Sequence, residues 1–273
     1  MPVVSRRDAL GRMLLAAAAA GAWFNVRAQP ASALTVFFYS PETNVNNFSA
    51  LKGEFDTFLA PLGGHKFQPF SDRNTFEKEL ATRSRRLFLL SSWHYRQLAG
   101  TAELAPLLVG HARGKAVQKH QLFSQTPNIA DLRSQKIATA GTRDFALTLL
   151  NEMLPGQQEM IATLNLLVVP KDIDALMAVG FGAARAAIAT EGGAEKLAKL
   201  NPKQREGLKQ LGNGRESLLP VLAAPRGAGG EAQALAKIFA GMDATPEGKS
   251  RLQLLGLEAM RELNAEQNER LTR

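Results

Sequence analysis

Short apolar runs of strand length alternate along this chain with amphipathic stretches of helix length, a pattern that restricts it to folds in which helices cover a largely parallel sheet. Leu34-Thr-Val-Phe-Phe-Tyr39 is β-branched and aromatic, stops at Ser40-Pro41, and is followed by a polar loop and an amphipathic run from Phe48 to Leu62. That reads as strand, loop, helix. Gly63-Gly64 ends the helix, and His65 to Phe70 alternates as a second strand. A helix over about 73–83 leads into Arg86-Leu-Phe-Leu-Leu-Ser91, a run suited to a strand buried on both faces. Trp93 to Leu98 opens another helix, and Lys115 to Phe123 is extended.

The middle of the chain repeats the alternation. Asn128 to Arg133 precedes Lys136-Ile-Ala-Thr-Ala140, a glycine turn at Gly141, and a helix from Phe145 to Met153. Strands at 164–169 and 184–190 flank a helix at 172–179, so a β-α-β-α-β unit is expected there. Glu216 to Ala224 is extended, and Gly227-Ala-Gly-Gly230 connects to two closing helices at about 231–241 and 246–264. The fold class is therefore α/β.

Ser5-Arg6-Arg7-Asp8-Ala9-Leu10 stands before an apolar stretch from Met13 to Phe24, and Val26-Arg27-Ala28 offers a small-residue cleavage site. Together they read as a twin-arginine export signal over residues 1–28, which places the mature chain in the periplasm. The other reading of residues 13–24 is a buried helix or an uncleaved anchor, but a bilayer span takes about 20 apolar residues. The formal charge of +8 includes a net +3 from Arg6, Arg7, Arg12, Arg27 and Asp8, so the mature chain keeps about +5. No dense Lys/Arg block with interleaved aromatics occurs, which excludes the usual nucleic-acid signature. The absence of cysteine excludes disulfides, thiolate metal sites and a cysteine nucleophile. His65, His94, His111 and His120 show no metal-ligand spacing. No metal site, no cofactor and no catalytic set is expected, and the chain is read as not an enzyme.

Four phrases in order carry a resemblance: Tyr39-Ser-Pro-Glu-Thr-Asn44, then Asn128-Ile-Ala-Asp-Leu-Arg-Ser-Gln-Lys-Ile-Ala138, then Asp174 to Val179 followed by Ala184 to Thr190, and finally Thr245-Pro-Glu-Gly-Lys249 to Leu255-Gly256. They resemble the periplasmic substrate-binding proteins of ABC transporters, in the phosphate/phosphite/phosphonate branch of the type II periplasmic-binding-protein fold. The resemblance covers nearly the whole mature chain. It implies two lobes of mixed sheets flanked by helices, with lobe 1 at 29–118 and 222–273, lobe 2 at 125–214, and hinge segments at 119–124 and 215–221. It also implies capture of a small anionic, phosphonate- or phosphate-like ligand between the lobes, and delivery by a monomer to a membrane permease. The alternative is an orphan receptor serving a membrane sensor, or an accessory to maturation of a secreted redox enzyme.

The ligand-binding candidates follow from that resemblance. Thr139, Thr142 and Arg143 stand where the family carries a hydroxyl-rich turn at a helix N-terminus, although Thr142 also suits a plain N-cap. Ser91, Ser92 and Tyr95 stand where the family shows a Gly-Pro-x-x-Tyr pattern, here without the Gly-Pro. Trp93 either lines the pocket or packs between helices. Tyr39 either faces the cleft or sits in the core, with Ser40 and Glu42 weaker candidates beside it. Thr190 follows a lobe-2 strand, as does Glu191, and a carboxylate in the pocket would favour a zwitterionic or cationic ligand. Arg83, Arg85, Arg86 and Arg185 replace acidic family positions, with a solvated edge as the simpler reading of the first three.

Overall fold

The computed structural model describes residues 33–42, 47–80, 85–98 and 100–272. The export signal expected at 1–28, and Arg83, lie outside them. In chain order the strands are β1 (Thr35–Tyr39), β2 (Lys66–Pro69), β3 (Arg86–Leu90), β4 (Leu104–His111), β5 (Val117–Ser124), β6 (Lys136–Thr139), β7 (Asn165–Val168), β8 (Ala186–Thr190), β9 (Lys209–Leu218), β10 (Val221–Pro225) and β11 (Ala259–Glu262). They form two mixed sheets, one in the order β11-β4-β10-β3-β1-β2 and the other in the order β7-β6-β8-β5-β9. In the first, β1 runs parallel to β2 and β3, while β10 is antiparallel to β3 and β4. In the second, β6 runs parallel to β7 and β8, and β5 is antiparallel to β8 and β9.

Each sheet is covered on both faces, and the two-residue period of the strands assigns the faces. Val36 and Phe38 of β1, with Leu87 and Leu89 of β3, pack under the helices Phe48–Leu59 and Gly230–Ala240. Phe55 from the first of these stacks on Phe67 with ring centroids 4.2 Å apart. Phe37, Tyr39, Phe88 and Leu90 point the other way, onto Phe76, Tyr95 and Leu271. The second sheet repeats the arrangement. Leu122, Ile137 and Ile188 face the helix Arg143–Met153, while Phe123, Ala138 and Ala187 face the helices Asp172–Gly180 and Glu191–Leu200.

Several phrases of the sequence have local physical causes. Thr245 caps the helix Pro246–Leu254 by accepting from Gly248 N at 3.0 Å, and a Cβ on Gly248 would collide with the Met242 carbonyl. Asn128 accepts from Ala130 N at 3.1 Å and Asp131 accepts from the Thr126 hydroxyl, which turns this phrase into a 3-10 turn ahead of β6. The closing helix expected over 246–264 stops at Leu254. Gly256 takes φ +73° and frees the chain to enter β11, which pairs antiparallel with β4. β4 itself carries a proline and long-range pairs on both sides, and pairing rather than local pattern makes it a strand.

Two short segments pass between the sheets. Residues 112–116 link β4 to β5 through a tight turn in which Ala112 and Lys115 exchange backbone hydrogen bonds. Its central residues, Arg113 (φ 53°) and Gly114 (φ 73°), both have positive φ, as a type I′ turn requires. Leu219-Pro220 returns the chain from β9 to β10. Residues 119–124 form the body of β5, and 215–218 end β9. Among the described residues, no helix is long and apolar enough to cross a membrane.

Candidate functional site

Ligands of open α/β sheets bind beyond the carboxyl ends of strands, and here those ends meet from both sheets. A cleft of about 620 Å³ is lined by Phe38 of β1 with Ser40 and Glu42 after it, by Gln118 and His120 on β5, by Pro170 to Ile173 after β7, and by Thr190 at the end of β8 with Gly192, Gly193 and Lys196 after it. Leu219-Pro220 of the crossover and Gln253 to Gly256 complete it. A smaller cavity of about 120 Å³ lies beside it, lined by Tyr39, Phe70, Ala140, Gly141 and Thr142 among others.

Glu42 is a buried carboxyl in the wall of the cleft. It is 7% exposed, its Oε2 accepts from Gln118 Nε2, and its Oε1 has no hydrogen-bond partner among the described residues. Burial pushes its carboxyl up to about 7, opposed by the Gln118 bond and the Ser91 hydroxyl, with the Asp172 charge adding to the rise. Asp172, at the start of the helix Asp172–Gly180, accepts from Thr190 N at 2.9 Å and Thr190 Oγ1 at 2.5 Å. Gly193 permits this close approach, since a Cβ there would lie 2.8 Å from Asp172 Cβ. His120 is buried against Phe145, and desolvation lowers its pKa, so it faces the cleft as a neutral imidazole near pH 7. Lys171 and Lys196 are exposed at the rim.

The residues singled out in the sequence are spread over the two cavities and the packing around them. Thr190 lines the large cleft, where its hydroxyl donates to Asp172 and accepts from Gly193 N at 3.1 Å. Ser91 is buried behind Glu42 and accepts from His94 N at 3.1 Å. Tyr39 and Thr142 line the smaller cavity. Tyr39 is also packed on Phe76 and His94, and Thr142 N donates to the Pro41 carbonyl at 2.7 Å, which bridges the two sheets. Thr139 is buried and accepts from Gly141 N. The remaining three are away from both cavities. Ser92 donates to the Leu218 carbonyl at 2.6 Å, Tyr95 donates to the Leu104 carbonyl at 3.2 Å, and Arg143 is exposed.

Trp93 takes the packing role. It inserts among Phe145, Leu149 and Ile188 of the second sheet's core, edge-on to Phe145 at 5.5 Å, with the Arg73 guanidinium over its ring. Behind it His94 shares Glu77 with Arg73, at 2.8 Å and 2.7 Å, and burial holds the imidazole neutral. Glu191 opens the helix Glu191–Leu200. Arg86 pairs with Glu79 and Arg185 lies 3.7 Å from Asp131. Gln118, His120, Lys171, Asp172 and Lys196 went unmarked in the sequence. The signal that finds Lys171 and Asp172 is positional, since both directly follow a lobe-2 strand. Gln118 and His120 depend on the pairing of β5 with β8 and β9, which no local pattern carries. Among the described residues, no group of three or more His, Asp or Glu is arranged to hold a metal ion.

Two mixed sheets covered by helices on both faces, joined by two short crossovers around a cleft at their strand ends, make this the two-lobed fold of periplasmic binding proteins. Solved structures with the same fold include the XAC2383 protein of Xanthomonas citri bound to ATP, at TM-score 0.61 and 14% identity, covering 88% of this chain and 94% of that one. A binding-protein component of an ABC phosphonate transporter from Pseudomonas aeruginosa has TM-score 0.59 and 13% identity over 86% and 83% of the two chains. PhnD1 of Prochlorococcus marinus, in complex with methylphosphonate, has TM-score 0.60 and 14% identity over 87% and 94%. Such identities place the likeness at the level of fold. No protein-family profile matches the chain, and no curated protein matches it significantly.

Proposed function

We propose that this chain is a periplasmic solute-binding protein that captures a small polar ligand between its lobes and presents it to a membrane permease, working as a monomer and without covalent chemistry. The observation that carries this reading is the cleft itself: about 620 Å³, large enough for a small solute, lined from both sheets and by the crossover between them. Closure around a ligand would use motion at 112–116 and 219–220, the short segments where the chain changes sheet. Fold neighbours whose names record ABC phosphonate transport and bound methylphosphonate support the transporter role and a phosphonate- or phosphate-like group in the ligand. The rim lysines Lys171 and Lys196 suit such a group, and Thr190 and Ser91 shape the site through Asp172 and Glu42. The export signal read at 1–28 accounts for the compartment.

Differential scanning fluorimetry of the folded mature protein, against phosphate, phosphite, alkyl- and aminoalkyl-phosphonates, sulfonates, amino acids and polyamines, tests the reading. A ligand at about 100 times its Kd adds roughly 2.7 kcal/mol of stability, so one class is expected to raise Tm by several degrees. That shift should shrink in Thr190→Ala. A folded protein whose Tm no compound moves contradicts solute capture and leaves the orphan-receptor role.

A further inference from the structure

The cleft is chemically unbalanced in a way that points to one feature of its ligand. Glu42 is buried at its lobe-1 wall with one oxygen held by Gln118, the Ser91 hydroxyl near the carboxyl, and its Oε1 making no hydrogen bond among the described residues. A carboxylate oxygen buried without a partner is costly, and a ligand that supplies a donor removes the cost. On the opposite wall, donors that would welcome an anion are already engaged. Thr190 N and Oγ1 are held by Asp172, and Gly193 N by Thr190 Oγ1.

Charges facing Glu42 act in both directions. Asp172 opposes its ionisation, Arg96 on the helix Ser92–Leu98 favours it, His120 on β5 is neutral near pH 7, and Lys171 and Lys196 stand out in solvent at the rim. The interior of the cleft therefore holds two carboxyl groups while its cations lie outside, which is the arrangement for a positive centre.

Building on the solute-binding reading, we propose that Glu42, which lines the cleft, determines specificity by turning its unpartnered oxygen, closed to solvent in the ligand-free fold, toward a protonated nitrogen of the solute and accepting a hydrogen bond from it. The protonated carboxyl and the cation become a carboxylate–cation pair plus one released proton, with no bond to carbon made or broken. The recognised group is an ammonium or amidinium type of cation, whatever acid the rest of the ligand carries.

Matched pairs that differ only in the amine test this: 2-aminoethylphosphonate against ethylphosphonate, taurine against ethanesulfonate, and β-alanine against propionate. Titration calorimetry of the wild-type protein in two buffers of different ionisation enthalpy should show the amine member binding at least about tenfold tighter, with proton release near pH 6.5. Its affinity should fall about thirtyfold between about pH 8 and about pH 5.5, and the folded Glu42→Gln variant should lose both the pH dependence and the preference. Equal binding of both members, tighter binding at low pH, or an unchanged preference in Glu42→Gln would overturn the role of Glu42 and leave solute capture standing. A folded wild-type protein that binds none of the six compounds and none of the wider ligand set would overturn both. Proton release is read on the wild-type protein, so the test does not depend on the variant folding.

Discussion

Glu42 links the site to stability as well as to the ligand. Its carboxyl has an ordinary value of 4.5 and is raised to about 7 in the fold, so the folded state binds this proton more tightly than the unfolded chain does. The group consequently costs nothing below about pH 4.5, and the protein loses stability as pH rises from there to about 7, where the penalty is complete. At about 1.4 kcal/mol per pH unit the loss amounts to about 3 kcal/mol. Glu42→Gln keeps the size and an acceptor for Gln118 while removing the charge. Thermal unfolding of ligand-free Glu42→Gln at about pH 8 should therefore occur several degrees above wild type, with the difference vanishing near pH 4.5. An unchanged Tm at about pH 8 would mean that water reaches Oε1. The sequence offered Glu42 only as a weak candidate beside Tyr39, because nothing local distinguishes a buried carboxyl from a solvated one three residues past a strand.

At the scale of elements, the faces of the sheets were legible and the caps largely so. The alternation in Thr35–Tyr39 separates Val36 and Phe38 from Phe37 and Tyr39, and the two sets enter different cores. Phe55 sits between Phe67 and Phe239 with parallel rings, so Phe55→Ala should cost about 3–5 kcal/mol, measurable by urea unfolding with unchanged slope. A loss below about 1 kcal/mol would show that the helix Phe48–Leu59 contributes little to the core. Gly141 is held between Phe145 and the Pro41 carbonyl, where an added Cβ would approach to 2.8 Å and 3.2 Å. Gly141→Ala should destabilise by about 1–3 kcal/mol and weaken ligand binding together, because the same contact joins the sheets. The last strand escaped the sequence reading. The apolar period of 246–264 continues past Leu254, and only the turn at Gly256 and the partner strand β4 convert the remainder into β11.

Across the whole molecule, the relation of the two sheets rests on few groups. Arg113, in the first crossover, donates to Glu195 of the second sheet's helix at 2.7 Å while its backbone N–H donates to Glu258 of the first. Its guanidinium lies against Gly192, where a Cβ would come within 2.9 Å. Both carboxylate and guanidinium are substantially exposed, so Arg113→Ala should change unfolding stability by less than about 1 kcal/mol. The ligand-free variant should nonetheless show a larger radius of gyration by small-angle X-ray scattering, and wild type should expand toward it as salt screens the pair. Identical scattering curves would mean that the remaining contacts, Trp93, Thr142–Pro41, Gln118–Glu42 and Ser92–Leu218 among them, suffice to hold the lobes together. What the sequence by itself determined was the α/β alternation and the identity of most strands and helices, because hydrophobic period and capping residues act over a few neighbours, while the two-lobed plan came from the resemblance of four phrases to a known family. What only the tertiary structure decided was the site. Glu42, the β5 pair Gln118 and His120, and Asp172 come from three distant stretches of the chain and meet because sheet order and the crossovers bring them together, and burial, which sets the chemistry of Glu42, exists only once both lobes are packed.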